Sequence, residues 1–206
     1  HGSVLTPSAV SVDADGSLLV GATARERLVT HPKRSAASFK RLMGSGQKLT
    51  LAGASYRPED LSALVLRTLK ADAEQATGEK VEEVIISVPA YFNDQQRKAT
   101  RLAGELAGLK VLRLVNEPTA AALFHGIHER DTDATFLIID LGGGTFDVSI
   151  LERFSGVMEV RATGGDSFLG GDDFTEAMVQ LLARKAALDD AALAEPARRG
   201  ALRFAA

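Results

Sequence analysis

The sequence predicts an α/β fold with mixed sheets flanked by helices, and three observations carry that prediction. Short apolar strand runs alternate with amphipathic helical segments through the middle of the chain. A hairpin signal at Ser155-Gly156 follows them. Between the two lies an apolar strand that runs directly into three consecutive glycines.

In chain order, Val4 to Val12 and Leu18 to Val20 read as strands, with Asp13-Ala14-Asp15-Gly16 as the turn between them. Arg25 to Met43 reads as mostly helical, ending at Gly44, and Gly44 to Tyr56 as a surface hairpin or loop. Pro58 to Thr77 reads as a helix: proline occupies its first turn, Glu59 and Asp60 follow, and Gly78 stops it. Leu61, Leu64, Val65, Leu69 and Ala73 form its apolar stripe. Val84 to Val88 is a predicted buried strand. Asn93 or Asp94 caps the next helix, whose predicted buried side carries Leu102, Ala103, Leu106 and Leu109. Val111 to Val115 is a second strand, and Pro118 opens a short helix ending near Gly126. Phe136 to Ile139 is a third, wholly apolar strand. Phe146 to Leu151 and Met158 to Ala162 make the hairpin. Asp172 or Asp173 caps a further helix bearing Phe174, Met178, Leu181 and Leu182, and the alanine-rich tail from Ala186 reads as helix.

Composition narrows the function classes. The 206 residues carry a formal net charge of -3, are 45% hydrophobic and contain no cysteine. Disulfides and thiolate zinc sites are excluded, and the absence of cysteine suits a reducing compartment. The charge balance gives no reason to expect nucleic acid or an acidic membrane as partner. No apolar run approaches the roughly 20 residues of a membrane helix. The chain opens His1-Gly2-Ser3, with neither a secretory signal nor a methionine, so it is expected to be part of a longer gene product.

The most informative stretch is Asp140-Leu141-Gly142-Gly143-Gly144-Thr145-Phe146-Asp147. Three glycines let the backbone turn sharply, and their N–H groups can converge on one anion. Thr145 adds a hydroxyl donor. Asp140 and Asp147 bracket the turn, and carboxylates beside phosphates commonly hold magnesium or its waters. A glycine-rich hairpin with two solvated aspartates is the plain alternative. The stretch is neither a Walker A loop nor a G-x-G-x-x-G fingerprint. His125 and His128 have metal-ligand spacing but no evident third ligand; the C-terminal end of a helix accounts for His125 more simply.

The octapeptide resembles the second phosphate motif of DnaK-type heat-shock chaperones. Further matches run in the same order from Thr6 to Phe174: Thr6-Pro7-Ser8, Phe39-Lys40-Arg41-Leu42, Val88-Pro89-Ala90-Tyr91-Phe92-Asn93-Asp94, Gln96-Arg97-Lys98-Ala99-Thr100, Asn116-Glu117-Pro118-Thr119-Ala120-Ala121-Ala122 and Leu169-Gly170-Gly171-Asp172-Asp173-Phe174. Phe39 to Ser45 is most similar to the bacterial HscC branch. The resemblance implies the actin-like (ribonuclease H-like) ATPase fold, here truncated at both ends. It also implies a cytoplasmic chaperone that hydrolyses ATP to drive its peptide-binding cycle. ATP or ADP with Mg2+ would be the ligands; a J-domain co-chaperone, a nucleotide-exchange factor and unfolded peptides would be the partners of the parent protein.

Site residues follow from the same resemblance. Lys40 would reach the γ-phosphate and place the attacking water. Gly142, Gly143, Gly144 and Thr145 would bind phosphate. Glu117, Asp140 and Asp147 would form the carboxylate shell around magnesium and water, with one of the aspartates taking the water's proton. Gly170 and Gly171 would lie near the nucleotide. Pro89 and Arg97 would relay nucleotide state. Without resemblance, Lys40 and Arg97 read as solvated helix charges, Pro89 as a strand terminator and Glu117 as a helix N-terminal charge.

The implied organisation has four parts. Residues 1–57 hold the start of a first lobe with a small insertion subdomain, and 58–131 the remainder of that lobe. Residues 132–170 hold the phosphate-binding portion of a second lobe, and 171–206 the start of its insertion. Against the family pattern, the first phosphate loop and the later adenosine motif are not found. The isolated chain is therefore expected to hydrolyse ATP poorly or not at all, and to expose a sheet edge prone to self-pairing. Another phosphotransferase of the actin superfold, such as a sugar kinase, and a non-catalytic interaction fragment are the alternatives.

Overall fold

A computed structural model describes residues 5–127 and 132–205. The first strands are β1 (Ala9–Val12), β2 (Leu18–Val20) and β3 (Ser35–Ala37), with helix α1 (Ala22–Thr30) between the second and third. They form one antiparallel sheet, ordered β2-β1-β3. The long helix expected over Arg25 to Met43 is therefore corrected. His31 precedes Pro32 and leaves the helical region at φ −135°, as steric conflict with a following proline ring requires. Two short 3-10 turns, Pro32–Arg34 and Phe39–Leu42, flank β3 instead. The first strand also starts later than predicted, at Ala9; residue 4 lies outside the described residues.

Strands β4 (Leu49–Leu51) and β5 (Ala54–Tyr56) form the expected hairpin, turned by Ala52 and Gly53 at φ 50° and 85°. Positive φ at both central residues matches the right-handed twist of the flanking strands. Helix α2 (Pro58–Thr77) has the predicted bounds, with Gly78 in the left-handed conformation after it. Its N-terminal half meets the β1 sheet: Val10, Val12, Ala36, Phe39, Leu51, Leu61 and Val65 form the main core. The rest of the predicted stripe is corrected, because Leu69 is 43% exposed and Ala73 is also exposed. The small residues Ala63 and Ala107, with Leu109, make the contact at the end of the next helix instead.

Strands β6 (Glu83–Val88) and β7 (Lys110–Asn116) pair in parallel, connected by α3 (Asp94–Leu106). Asn93 caps α3, accepting the Gln96 N–H at 3.0 Å, while the Gln96 side chain accepts the Asn93 N–H at 3.0 Å. That reciprocal pair is a capping box. Its buried face is Ala99, Ala103 and Gly104 rather than Leu102 and Leu106, which are partly exposed. Close approach selects the small residues: a Cβ on Gly104 would lie 2.4 Å from Val111.

Helix α4 (Glu117–Phe124) follows β7 without a loop. Strands β8 (Ala134–Leu141), β9 (Phe146–Phe154) and β10 (Val157–Asp166) form an antiparallel sheet, ordered β10-β9-β8. The strand predicted to be buried, β6, is corrected, since Ile85 is 59% exposed, and the wholly apolar β8 likewise leaves Leu137 and Ile139 64% and 63% exposed. Helix α5 (Gly171–Lys185) is capped at Gly170, not by either aspartate. Its Phe174, Met178 and Leu181 are exposed, whereas Val179 and Ala183 pack with Leu193. The tail contains α6 (Asp190–Ala194) and α7 (Pro196–Ala205), and α7 packs back on α1 and α5. The α/β class holds. Parallel and antiparallel pairing, however, occur in separate small sheets, since β7 pairs only with β6 and β8 only with β9 among the described residues. No described helix is long and apolar enough to cross a membrane.

Candidate functional site

The glycine turn joins β8 to β9. Asp140 faces Asp147 and Leu141 faces Phe146 across the ladder, and the Gly142 N–H donates to the Thr145 carbonyl at 2.9 Å. Among the described residues, no hydrogen bond engages the N–H groups of Gly143, Gly144 or Thr145. Those residues line a cleft of about 580 Å³ together with Lys40, Glu117, Asp140 and Asp172. The structure thus brings the turn and the distant Lys40 and Glu117 around one space.

Lys40 stands on the second 3-10 turn, and Glu117 is the first residue of α4. Their ion pair is 2.8 Å long, and the Lys40 ammonium lies 5.9 Å from the Phe92 ring centre. Asp147 is 4% exposed, and its Oδ1 is buried without a hydrogen-bond partner. Burial pushes its carboxyl above the ordinary range, and the charges of Glu117 and Asp140 push it further. A hydrogen bond from the Tyr91 N–H and the charge of Lys40 oppose that shift.

This donor set fits a phosphate ester with a divalent cation. Free N–H groups and one ammonium suit the anion, and the charges of Glu117, Asp140 and Asp147, which act on one another without clustering, suit a hydrated cation. No three His, Asp or Glu side chains among the described residues converge closely enough to ligate a metal directly. Asp140, Asp147 and Glu117 would therefore act through water.

Gly170 and Gly171 pack against the turn's own backbone. The Gly171 N–H donates to the Gly142 carbonyl at 3.0 Å, and the Asp172 N–H to the Gly143 carbonyl at 2.8 Å. A Cβ on Gly170 would lie 2.6 Å from the Gly143 carbonyl carbon, so only glycine fits. The N-terminus of α5 is thus occupied by protein carbonyls.

Sequence reasoning missed three participants. Arg41 donates to the Gly144 carbonyl at 2.6 Å and forks onto both oxygens of Asp173. That guanidinium holds the Asp173 carboxyl below its usual range. Ser38 donates to Asp172. The signals were present as a basic pair, Lys40-Arg41, and an acidic pair, Asp172-Asp173, whose meeting needs the tertiary fold.

Arg97 is not a solvated charge. It donates to the carbonyls of Phe92 at 3.0 Å and Ala90 at 3.4 Å, and to Asn116 Oδ1 at 2.9 Å. It therefore holds the loop after β6, whose Tyr91 bonds Asp147, to the residue preceding Glu117. Pro89 is fully buried at the start of that loop. On its other side, Arg97 lines a shallow groove with Lys98, Arg101 and Arg113. His125 stacks edge-on with Phe124 at 5.3 Å, while residue 128 lies outside the described residues.

One comparison with known proteins bears on this arrangement: a family model described as "Hsp70 protein" matches residues 1–194.

Proposed function

Because the chain belongs to the Hsp70 family, we propose that its cleft binds ATP and ADP with Mg2+ and houses ATP hydrolysis coupled to a chaperone's peptide-binding cycle. The observation that carries this reading is the convergence of three unengaged N–H groups, Lys40, Glu117 and Asp140 on one cleft, with the buried carboxylate of Asp147 across the ladder from Asp140. Bound Mg2+ would neutralise charge on the phosphate oxygens, held through water by Asp140, Asp147 and Glu117.

The chain's own groups divide the remaining work. The N–H groups of Gly143, Gly144 and Thr145 orient the phosphate and stabilise charge developing on it. Lys40 is half exposed and can exchange Glu117 for a phosphate oxygen. Asp147 is the proposed acceptor for the attacking water's proton, a reading supported by the burial and like charges that raise its affinity for one. Pro89 and Arg97 are proposed to relay nucleotide state; the hydrogen bonds of Arg97 to the Tyr91 loop and to Asn116 support that role.

The four-part organisation at 57, 131 and 170 is proposed with the family reading. So are the cytoplasmic setting and the J-domain, exchange-factor and peptide partners. The run Phe39 to Ser45 supports the HscC branch within the family.

Calorimetric titration with Mg2+ and a non-hydrolysable ATP analogue, which keeps the γ-phosphate that Lys40 would reach, tests the site. The chain should bind, and Lys40→Ala should weaken binding by about 10-fold or more, as expected for loss of one charge-assisted contact. Equal affinity of the two, or binding indifferent to Mg2+, would remove the reading.

A further inference from the structure

We infer that Arg41 is a positioning residue of the phosphate site, acting by fixing the direction in which the Thr145 N–H points. The inference rests on the proposed phosphate reading of the turn.

In a trans peptide the C=O of one residue and the N–H of the next point in opposite directions from one plane, and the described chain has no cis peptides. Three such planes make up the turn. Gly142 C=O shares a plane with Gly143 N–H, Gly143 C=O with Gly144 N–H, and Gly144 C=O with Thr145 N–H. All three carbonyls are gripped from one side: by Gly171 N–H at 3.0 Å, Asp172 N–H at 2.8 Å and Arg41 Nε at 2.6 Å. The opposite ends of these planes are the three N–H groups left unengaged. The first two planes are held by the backbone of α5 itself. The third depends on one side chain.

Arg41 is built for that task. Its Nη atoms are anchored on both Asp173 oxygens, and Asp173 Oδ2 also accepts the Gly170 N–H at 2.8 Å. The guanidinium is thereby fixed relative to α5, and its planar fork lets Nε reach the third carbonyl at the same time. Gly144 completes the fit, since a Cβ there would lie 3.0 Å from Arg41 Nε. A lysine would keep the charge but could not bond Asp173 twice and Gly144 once.

The test compares wild type with Arg41→Ala and the gentler Arg41→Lys, both checked for normal melting. In the ligand-free chain, the residual dipolar coupling of the Thr145 N–H should change in both variants, while those of Gly143 and Gly144 are retained. Mg-ADP affinity should fall by roughly 10–100-fold in Arg41→Ala, the range seen when groups that orient a ligand's direct contacts are removed. Arg41→Lys should not restore it. An unchanged Thr145 coupling, or full affinity in either variant, would overturn the inference while leaving the phosphate reading intact. Failure of wild type itself to bind Mg-ADP would remove the phosphate reading, and this inference with it.

Discussion

Asp147 carries the sharpest conflict between stability and chemistry in the molecule. Its carboxyl is buried, lacks a partner at Oδ1 and faces the charges of Glu117 and Asp140. Because its affinity for a proton is raised in the folded state, the folded chain is penalised wherever the group must ionise. Below the ordinary aspartate range both states are protonated and no penalty exists. The penalty grows as pH rises from the ordinary aspartate range to the raised value, and is complete above it. Asp147→Asn should therefore raise Tm at neutral pH by roughly 2–4 °C, the change that about 1 kcal/mol makes in a chain of this size. The gain should vanish in acid. Introduced into the parent protein, the same substitution should lower nucleotide turnover, as when a functional site is held at the expense of stability. Scanning calorimetry across pH checks the first half, and a destabilised variant at neutral pH would contradict it. Nothing in the local sequence distinguishes Asp147 from Asp140. The difference is that Asp147 lies on the face of β9 covered by the Tyr91 loop, while Asp140 is exposed.

Elements whose ends carry their own chemistry were legible in the sequence. Helix α2 was bounded by Pro58 and Gly78, so its limits needed no tertiary information, whereas the sequence leaves the start of α3 between Asn93 and Asp94 and carries its end past Leu106. Asn93→Ala should cost about 0.5–2 kcal/mol in urea unfolding, as loss of an N-cap does. It should also loosen the preceding loop that carries Tyr91. No change in midpoint would mean that the Gln96 side chain alone suffices. Legibility failed where the partner surface decides. Leucine spacing on α2 and α3 predicted the buried face, but the two helices approach through Ala63, Ala99, Ala103 and Ala107, and several leucines stay outside. The segment after α1 failed differently. Its helical composition yields to Pro32 and to the hydrogen bonds that β1 offers Ser35 to Ala37. For the site, the glycine turn stands out in the residues themselves, whereas Lys40 is singled out only through the family resemblance. Arg41, Ser38 and Tyr91 are not legible, because their roles are contacts with residues at least 56 positions away.

Across the whole molecule, the cleft is bounded by segments far apart in the chain and closed by two separate ties. One is the Arg41–Asp173 and Ser38–Asp172 clasp. The other is the seat of α7 on α1, where Gly200 is so close to Val29 that a Cβ would lie 2.9 Å from its Cγ1. Gly200→Val should lift α7 from α1 at a cost of about 1–3 kcal/mol, as overpacking does. Small-angle scattering should then show a larger radius of gyration. An unchanged radius with unchanged stability would show that the seat does not hold the cleft closed.

The glycine turn itself has a consequence of another kind. The donors it presents are amides, which neither gain nor lose a proton in ordinary buffers. As the proposed anion receptor it has no ionisable group of its own, so its share of ligand affinity should stay flat from mild acid to mild alkali. Any acid–base signature in binding or turnover must therefore come from the ligand or from side chains, and Asp147, whose burial raises its affinity for a proton, is the one to test first. The backbone would set where the anion sits and leave pH dependence to the groups around it.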